Sequence, residues 1–247
     1  MSITNSRRAK SSANTKKLII AALFSALAYA ATLLTAWIRV AGFLTFDAKD
    51  TLVTIAGLIL GPIYAIVISF IVSLIEIIFL PETGFWGFLM NFLSTAAFSA
   101  VCALIYKYKK NIKGAIVGLV AAIFAMTAFM LLFNLFIVPI YTPNFTTAAV
   151  AEMVPTLFLP FNLTKATLNA AIVLILSKPA STAMKAARVL PSNPLSQKAD
   201  DHLTPEERKR KNLIFSIVVT AVGILVAALC VVVFLVFLGG DFGLGKI

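Results

Sequence analysis

Six polar side chains lie within long apolar segments of the sequence, where ionisable and amide groups are costly and usually face a protein interior or a water-filled cavity. They are Glu76, Asn91, Asn134, Asn162, Lys165 and Asn169. Asn162, Lys165 and Asn169 are spaced i, i+3 and i+7, so they fall within about 60° of one another on one helix face. A lysine between two amides on one face favours a ligand site. Two alternatives remain open, namely hydrogen bonds between helices and an ion pair of Lys165 with Glu76.

The groups that most enzymes need for catalysis are absent from the sequence. The one histidine, His202, lies among charged residues, and no cluster of histidine and cysteine could hold zinc. Neither a Gly-x-Ser-x-Gly elbow nor a phosphate-binding P-loop occurs. Cys102 and Cys230 fall in apolar segments, where they suit a packing role. We therefore predict a protein that is not an enzyme, binds no metal or cofactor, and cannot itself use ATP through a P-loop.

The composition indicates that the segments carrying these polar groups lie in a lipid bilayer. Of the 247 residues, 60% are hydrophobic and 13% are charged, whereas soluble domains average about 45–50% apolar and about 25% charged residues. A spanning helix takes about 20 apolar residues, and the sequence offers the apolar runs 18–38, 51–80, 85–106, 115–140, 154–176 and 213–238. Pro62 divides the second run into a short helix and a full span. We predict an all-α, polytopic membrane helix bundle of seven segments.

The net charge of +11 indicates the orientation of the chain in the membrane. Five Lys and Arg residues precede the first span, four lie between the fourth and fifth segments, and eight lie between the sixth and seventh. Arg39, Lys49 and Lys246 fall on the other side, and Lys165 is within a span. The positive-inside rule therefore predicts a cytoplasmic N-terminus and an external C-terminus. In this orientation most of the polar groups within the spans collect in the outer half of the membrane, as in a pocket open to the outside.

The predicted spans divide the chain into five parts. These are a basic cytoplasmic segment (1–17), a six-helix membrane core (18–177), a basic cytoplasmic linker (178–212), an additional transmembrane helix (213–238) and an external tail (239–247). Within the linker, Thr204 followed by Pro205 and two acidic residues predicts the start of a helix that continues into the last span. In the first span Ala22, Ala26 and Ala30 form a stripe of small residues, which permits the close approach of a helix from within the bundle or from a partner.

Four stretches of the sequence, in this order and on these segments, resemble a known family. They are 47–50 (DAKD), 90–93 (MNFL), 134–141 (NLFIVPIY) and 159–165 (LPFNLTK). Over roughly residues 17–180 the chain resembles the substrate-binding S components of energy-coupling factor (ECF) transporters, and most closely the riboflavin-specific ones. The resemblance implies a six-helix bundle that binds one vitamin molecule in an external-side pocket of a bacterial plasma-membrane protein.

The resemblance also implies partners. The stripe of Ala22, Ala26 and Ala30 would dock onto a transmembrane coupling subunit, and two cytoplasmic ATPase subunits would supply the P-loops that this chain lacks. In this family the S component is thought to topple in the membrane and so carry its ligand inward.

Three of the site residues follow from the resemblance by motif position. Asn134, Asn162 and Lys165 would contact the flavin ring system, whose pyrimidine edge presents an N–H donor between two carbonyl acceptors that amide and ammonium groups can match. The remaining members of the expected ligand-binding set are Asn91, Glu76, Asp47 and Asp50. An external loop, Val40 to Asp50, would close over the ligand.

Two departures from the family pattern qualify these expectations. The riboflavin members usually carry an aromatic and a small polar residue within the Asp-x-x-Asp stretch and a proline soon after, whereas this sequence has Ala48, Lys49 and no proline there. The family also typically ends after six helices, whereas this chain adds the span 213–238, which would serve as a lipid anchor or as a further contact with the coupling subunit. The alternatives left open are flavin mononucleotide or another vitamin as the ligand, and a stand-alone secondary transporter in which Lys165 and Glu76 relay an ion.

Overall fold

The computed structural model describes residues 2–36, 38–40, 44–79, 84–141, 146–186 and 204–237. Its helices are α1 (Ser2–Thr35), α2 (Lys49–Leu60), α3 (Pro62–Phe79), α4 (Gly84–Tyr108), α5 (Ile112–Tyr141), α6 (Thr147–Met153), α7 (Leu159–Ala186) and α8 (Pro205–Phe237). A short antiparallel hairpin, β1 (Arg39–Val40) and β2 (Leu44–Thr45), separates α1 from α2. The prediction of an all-α membrane bundle with an additional C-terminal helix is confirmed.

Six helical segments of the described chain are long and apolar enough to cross a membrane, and α2 is the short element between them. The predicted break in the second apolar run is confirmed, because α2 ends at Leu60 and α3 begins at Pro62. Gly61 between them has φ of +106°, a conformation that glycine adopts without the steric cost of a Cβ atom. The break turns the chain so that α2 lies inside the bundle while α3 forms a span.

The main core lies where α1, α2, α3, α4, α5 and α7 meet. It contains fully buried apolar residues from each inner helix, including Val53, Ile68, Phe98 and Met126. Helix α4 packs between α3 and α5, and α7 packs between α5 and α8. The outward faces are apolar as well, as in the largely exposed Ile63. A helix that is hydrophobic on both its inner and outer faces suits a bilayer rather than water.

The polypeptide enters α7 through an irregular turn. Helix α6 leads without interruption into a π-helical segment, Val154–Phe158, and then into α7. The π segment contains Pro155, and such single π turns often occur at functional sites. Just beyond the widened turn, Nδ2 of Asn162 donates a hydrogen bond to the carbonyl of Phe158 at 2.8 Å.

Helix α8 starts where the sequence predicts. The Thr204 side chain accepts a hydrogen bond from the backbone N–H of Glu207, whose carboxylate accepts in return from the backbone N–H and the hydroxyl of Thr204. This reciprocal arrangement is a capping box. The hydrogen bonds from Thr204 hold the pKa of the Glu207 carboxyl below its usual value. His202 and the tail 239–247 lie outside the described residues, and the first part of the predicted linker is helical because α7 continues to Ala186.

Candidate ligand-binding site

One end of the bundle carries the chain between α1 and α2. We call residues 38–40 and 44–48 the hairpin segment. Its two strands pair with Arg39 opposite Thr45, and the backbone N–H of Phe46 donates to the carbonyl of Ile38 at 3.1 Å. Phe46 and Asp47 are buried. The hairpin segment is therefore folded against the ends of the helices, with its last residues directed into the bundle.

Asp47 joins the hairpin segment to α7. The Nζ atom of Lys165 lies 2.8 Å from Asp47 Oδ2 and 3.3 Å from the carbonyl oxygen of Thr45. Asn169, one turn further along α7, donates from Nδ2 to the Asp47 carbonyl at 3.1 Å, and its Oδ1 accepts from the Thr51 hydroxyl at 2.8 Å. Two side chains on one face of α7 thus bind the carboxylate and the backbone carbonyl of Asp47, and one of them also binds the start of α2.

Lys49 is the residue that the sequence interpretation missed. The prediction placed it on an external loop, and this is wrong, because Lys49 is the first residue of α2 and its side chain is 1% exposed. Its Nζ atom lies 2.7 and 2.9 Å from the two carboxylate oxygens of Glu76 and 3.5 Å from Asp47 Oδ2. A buried ammonium requires such partners, since an unpaired charge in the interior costs several kcal/mol.

The charged groups form a continuous chain of alternating sign, which we call the ion-pair network: Lys165, Asp47, Lys49 and Glu76. Glu76 also accepts hydrogen bonds from Asn91 at 3.1 Å and from Thr32 at 3.0 Å. The network therefore connects α7, the hairpin segment, α2, α3, α4 and α1. The alternative in which Lys165 pairs with Glu76 is wrong, because Lys49 occupies Glu76 and Lys165 binds Asp47.

Asp50 lies beside the network and is bound differently. Its Oδ1 accepts a hydrogen bond of 2.6 Å from the Thr95 hydroxyl, and within the described residues Oδ2 has no hydrogen-bond partner. The side chain is fully buried. The contacts that Thr95 and Thr51 make had no signal in the sequence, because a threonine in an apolar segment is compatible with simple packing.

Within the described residues, the two asparagines predicted to contact a flavin make no hydrogen bond to the ion-pair network. Asn134 is 1% exposed, and neither its Oδ1 nor its Nδ2 has a hydrogen-bond partner in the part of the chain that the structure describes. Val138 on α5 and Phe158 before α7 belong to one apolar cluster. Asn134 precedes Val138 by four residues and Asn162 follows Phe158 by four, so both amides lie one helical turn from that cluster. They therefore occupy the same level of the bundle.

A cavity of about 80 Å³ adjoins Lys165. Its lining combines residues of the hairpin segment, α7 and α8: Ile38, Phe46, Phe161, Thr164, Lys165, Leu168, Val231 and Phe234. The surface that these residues expose to the cavity is apolar, including that of the lysine and the threonine. Among the described residues no group of three His, Cys, Asp or Glu side chains is arranged to hold a metal ion.

The alanine stripe of α1 faces away from the bundle. Ala22, Ala26 and Ala30 are exposed, whereas Phe24 and Ala28 on the same helix are buried in the core. Of the two alternatives that the spacing left open, packing within the bundle does not occur in the part of the chain that the structure describes. The stripe is a shallow surface of small side chains that lipid or another protein can contact.

Comparisons with known proteins agree with this architecture. Residues 16–177 match the family described as "ECF transporter, substrate-specific component". The chain is 27% identical over 178 residues to the riboflavin transporter RibU of Staphylococcus aureus (strain TCH60), which covers 70% of this chain and 94% of the relative. It is 29% identical over 159 residues to the riboflavin transporter FmnP of Bacillus subtilis (strain 168), covering 61% of this chain and 84% of that protein.

A solved structure has a similar fold. It is the S component of a bacterial ECF transporter, and it matches this chain with a TM-score of 0.58 and 25% sequence identity. The superposition covers 70% of this chain and 99% of that chain. The match to the family ends at residue 177, so α8 lies beyond it.

Proposed function

The chain belongs to the substrate-specific component family of ECF transporters, and we propose from this premise that it is the riboflavin-binding subunit of an ECF importer. The family is a transport family and not an enzyme family, and its members bind a vitamin and associate with the subunits of an ECF module. The choice of riboflavin is supported by the names of the two relatives. Flavin mononucleotide is the alternative ligand whose affinity should be compared with that of riboflavin.

The observation that carries this proposal is the unpartnered amide of Asn134. A buried polar side chain without a partner costs about 1–3 kcal/mol, and native proteins retain few of them without a reason. Asn134 lies at the same level as Asn162 on the facing helix, and both were assigned to the flavin from the sequence motif. A carboxamide both donates and accepts, so this pair matches the pyrimidine edge of a flavin, where an N–H lies between two carbonyls.

Lys165 can add a further contact without leaving the ion-pair network. An ammonium group has three N–H donors, and in the described structure two of them are directed at Asp47 and Thr45. The third is left for a flavin carbonyl or ring nitrogen. Of the remaining residues in the expected ligand-binding set, Glu76, Asn91, Asp47 and Asp50 bind other protein groups. We propose that these four position the residues that contact the ligand and do not contact it themselves.

Ligand entry requires the hairpin segment to move. Sites for drug-sized ligands have volumes of roughly 300–1,000 Å³, and the cavity beside Lys165 measures about 80 Å³. The hairpin segment covers this cavity with Phe46 and is held by Asp47. We propose that this segment opens toward the outside of the cell and closes over the bound flavin. The positive-inside distribution of Lys and Arg supports this orientation, with a cytoplasmic N-terminus and an external C-terminus.

Transport needs partners that supply energy. We propose that the exposed stripe of Ala22, Ala26 and Ala30 docks on a transmembrane coupling subunit, and that two ATPase subunits of the same module hydrolyse ATP. Small side chains let the backbones of two membrane helices approach closely. The six-helix core, residues 18–177, would then act as the ligand-carrying unit, and 178–212 would connect it to the additional helix.

Riboflavin binding by the purified full-length protein tests the proposal directly. The intrinsic fluorescence of riboflavin is expected to be quenched on binding, with one site per chain. Thiamine, biotin, folate and pantothenate serve as controls that should not compete. A correctly folded protein that leaves micromolar riboflavin unbound would refute the proposed ligand. Riboflavin flux into liposomes that contain this chain alone would favour the stand-alone transporter instead.

A further inference from the structure

The last helix is packed against the helix that carries Lys165. Helix α8 contacts α7 along much of its length, through a stripe in which Gly223, Cys230 and Phe234 are buried. Their spacing of seven and four residues keeps them on one face. At Gly223 an added Cβ atom would lie 2.7 Å from Ile175 Cγ1, so a larger residue here would force the Ile175 side chain or the helix itself to shift. The opposite face of α8 is apolar and exposed.

At the hairpin end of the bundle, α8 reaches the segment that covers the cavity. Phe234 is 6% exposed and forms an apolar cluster with Phe161 of α7. Ile38 and Leu44 of the hairpin segment pack against the same cluster. One apolar cluster therefore joins α8, the helix that carries Lys165 and the segment that must move for a ligand to enter.

Phe234 also lines the cavity. Val231 and Phe234 of α8 form part of its wall, together with Thr164 and Lys165 of α7, which expose only apolar atoms to it. Phe46 of the hairpin segment forms another part. The cavity is thus enclosed between three elements, of which α8 lies outside the part of the chain that matches the transporter family.

We propose that α8 is a side wall of the ligand site that braces the hairpin segment in its closed position, and that Phe234 thereby slows escape of the bound ligand. This inference rests on the proposed function. Moving the hairpin segment outward exposes the apolar surface that Ile38 and Leu44 share with Phe234. Burial of such surface stabilises the closed state, so removing the phenyl ring lowers the barrier to opening. Changes of this kind act mainly on dissociation rates.

The test compares dissociation of riboflavin from full-length variants, followed by stopped-flow fluorescence after mixing with a flavin-scavenging protein. Phe234→Ala is expected to release riboflavin about tenfold faster than the unchanged protein, and Phe234→Leu should lie between them. Val236→Ala is the matched control, because Val236 is on the same turn of α8 and 69% exposed, and it should not change the rate. An unchanged dissociation rate in Phe234→Ala would overturn the proposal.

A second measurement needs no flavin. In a background with Cys102→Ala and Cys230→Ala, a cysteine introduced by Thr164→Cys reports access to the cavity through its rate of reaction with a membrane-impermeant maleimide. Phe234→Ala should increase this rate several-fold, and Val236→Ala should not. If the protein binds no flavin, the proposed ligand is wrong, while the labelling rates still decide the role of α8. Equal labelling with and without Phe234 would show that α8 does not brace the hairpin segment.

Discussion

Lys165 and Asp47 form a 2.8 Å ion pair between helix α7 and the hairpin segment. The pair is buried, with side-chain exposures of 8% and 4%, and it lies at the boundary between the cavity and the polar interior. Through this pair, the lysine that we assign to the flavin is bound to the segment that we expect to open. The position of Lys165 thus links ligand contact with closure of the site.

The first prediction concerns the ammonium group of Lys165. Lys165→Met should weaken riboflavin binding by about 1.5–3 kcal/mol, roughly a ten- to hundredfold increase in Kd, because a charge-assisted hydrogen bond is lost. Asp47 would keep Lys49 at 3.5 Å, so the fold should persist. Fluorescence titration measures the change. Lys113→Met is the control at an exposed lysine of α5, and equal affinity in both variants would contradict the site assignment.

The second prediction concerns the pair of Lys49 and Glu76. Lys49→Met should lower the free energy of unfolding by about 3–5 kcal/mol, because it leaves the Glu76 carboxylate buried without its partner. The double variant Lys49→Met with Glu76→Gln should recover much of this loss, since a neutral amide is cheaper to bury than a lone charge. Thermal unfolding in detergent micelles measures both. If the loss in the double variant equals the sum of the losses in the two single variants, the two side chains do not interact.

The elements of the fold could be predicted from the sequence because their signals are local. The length of each apolar run sets a span, and Gly61 with Pro62 sets the break between α2 and α3. The ion-pair network could not be predicted from such local signals. Lys49 was assigned to a loop, yet it is buried because Glu76, 27 residues away, supplies its counter-charge.

The candidate site shows the same distinction between local and distant information. The spacing of Lys165 and Asn169 correctly indicated one polar face of α7. Their partner Asp47, however, is 118 residues from Lys165, and no pattern along the chain joins the two. The apolar cluster that joins Phe234 to the hairpin segment was also beyond prediction, because an apolar residue in a span gives no sign of which neighbour it will meet.

The third prediction separates stability from ligand binding at Asn134. Asn134→Leu should leave the fold as stable as before or make it more stable by about 1–3 kcal/mol, because it removes a buried amide that has no partner in the described structure. Riboflavin affinity should fall in the same variant. Unfolding and fluorescence titration on one preparation measure both properties.

Thr127→Val is the matched control for Asn134→Leu. The Thr127 hydroxyl is also buried without a partner among the described residues and lies two turns away on α5. Valine has nearly the same shape and no hydroxyl, so stability should rise while riboflavin affinity stays constant. If Asn134→Leu lowers stability and keeps its affinity for riboflavin, Asn134 is a structural residue and the flavin contact lies elsewhere.

The fourth prediction concerns the alanine stripe of α1. Ala26→Trp places a large ring on an exposed surface, so riboflavin binding by the isolated protein should not change. Docking of a partner helix should fail, because close approach depends on small side chains at the contact. Co-purification with the coupling and ATPase subunits of its own module measures docking. Val120→Trp, at an exposed position of α5, should leave co-purification intact. Undiminished co-purification of Ala26→Trp would place the docking surface on another face of the bundle.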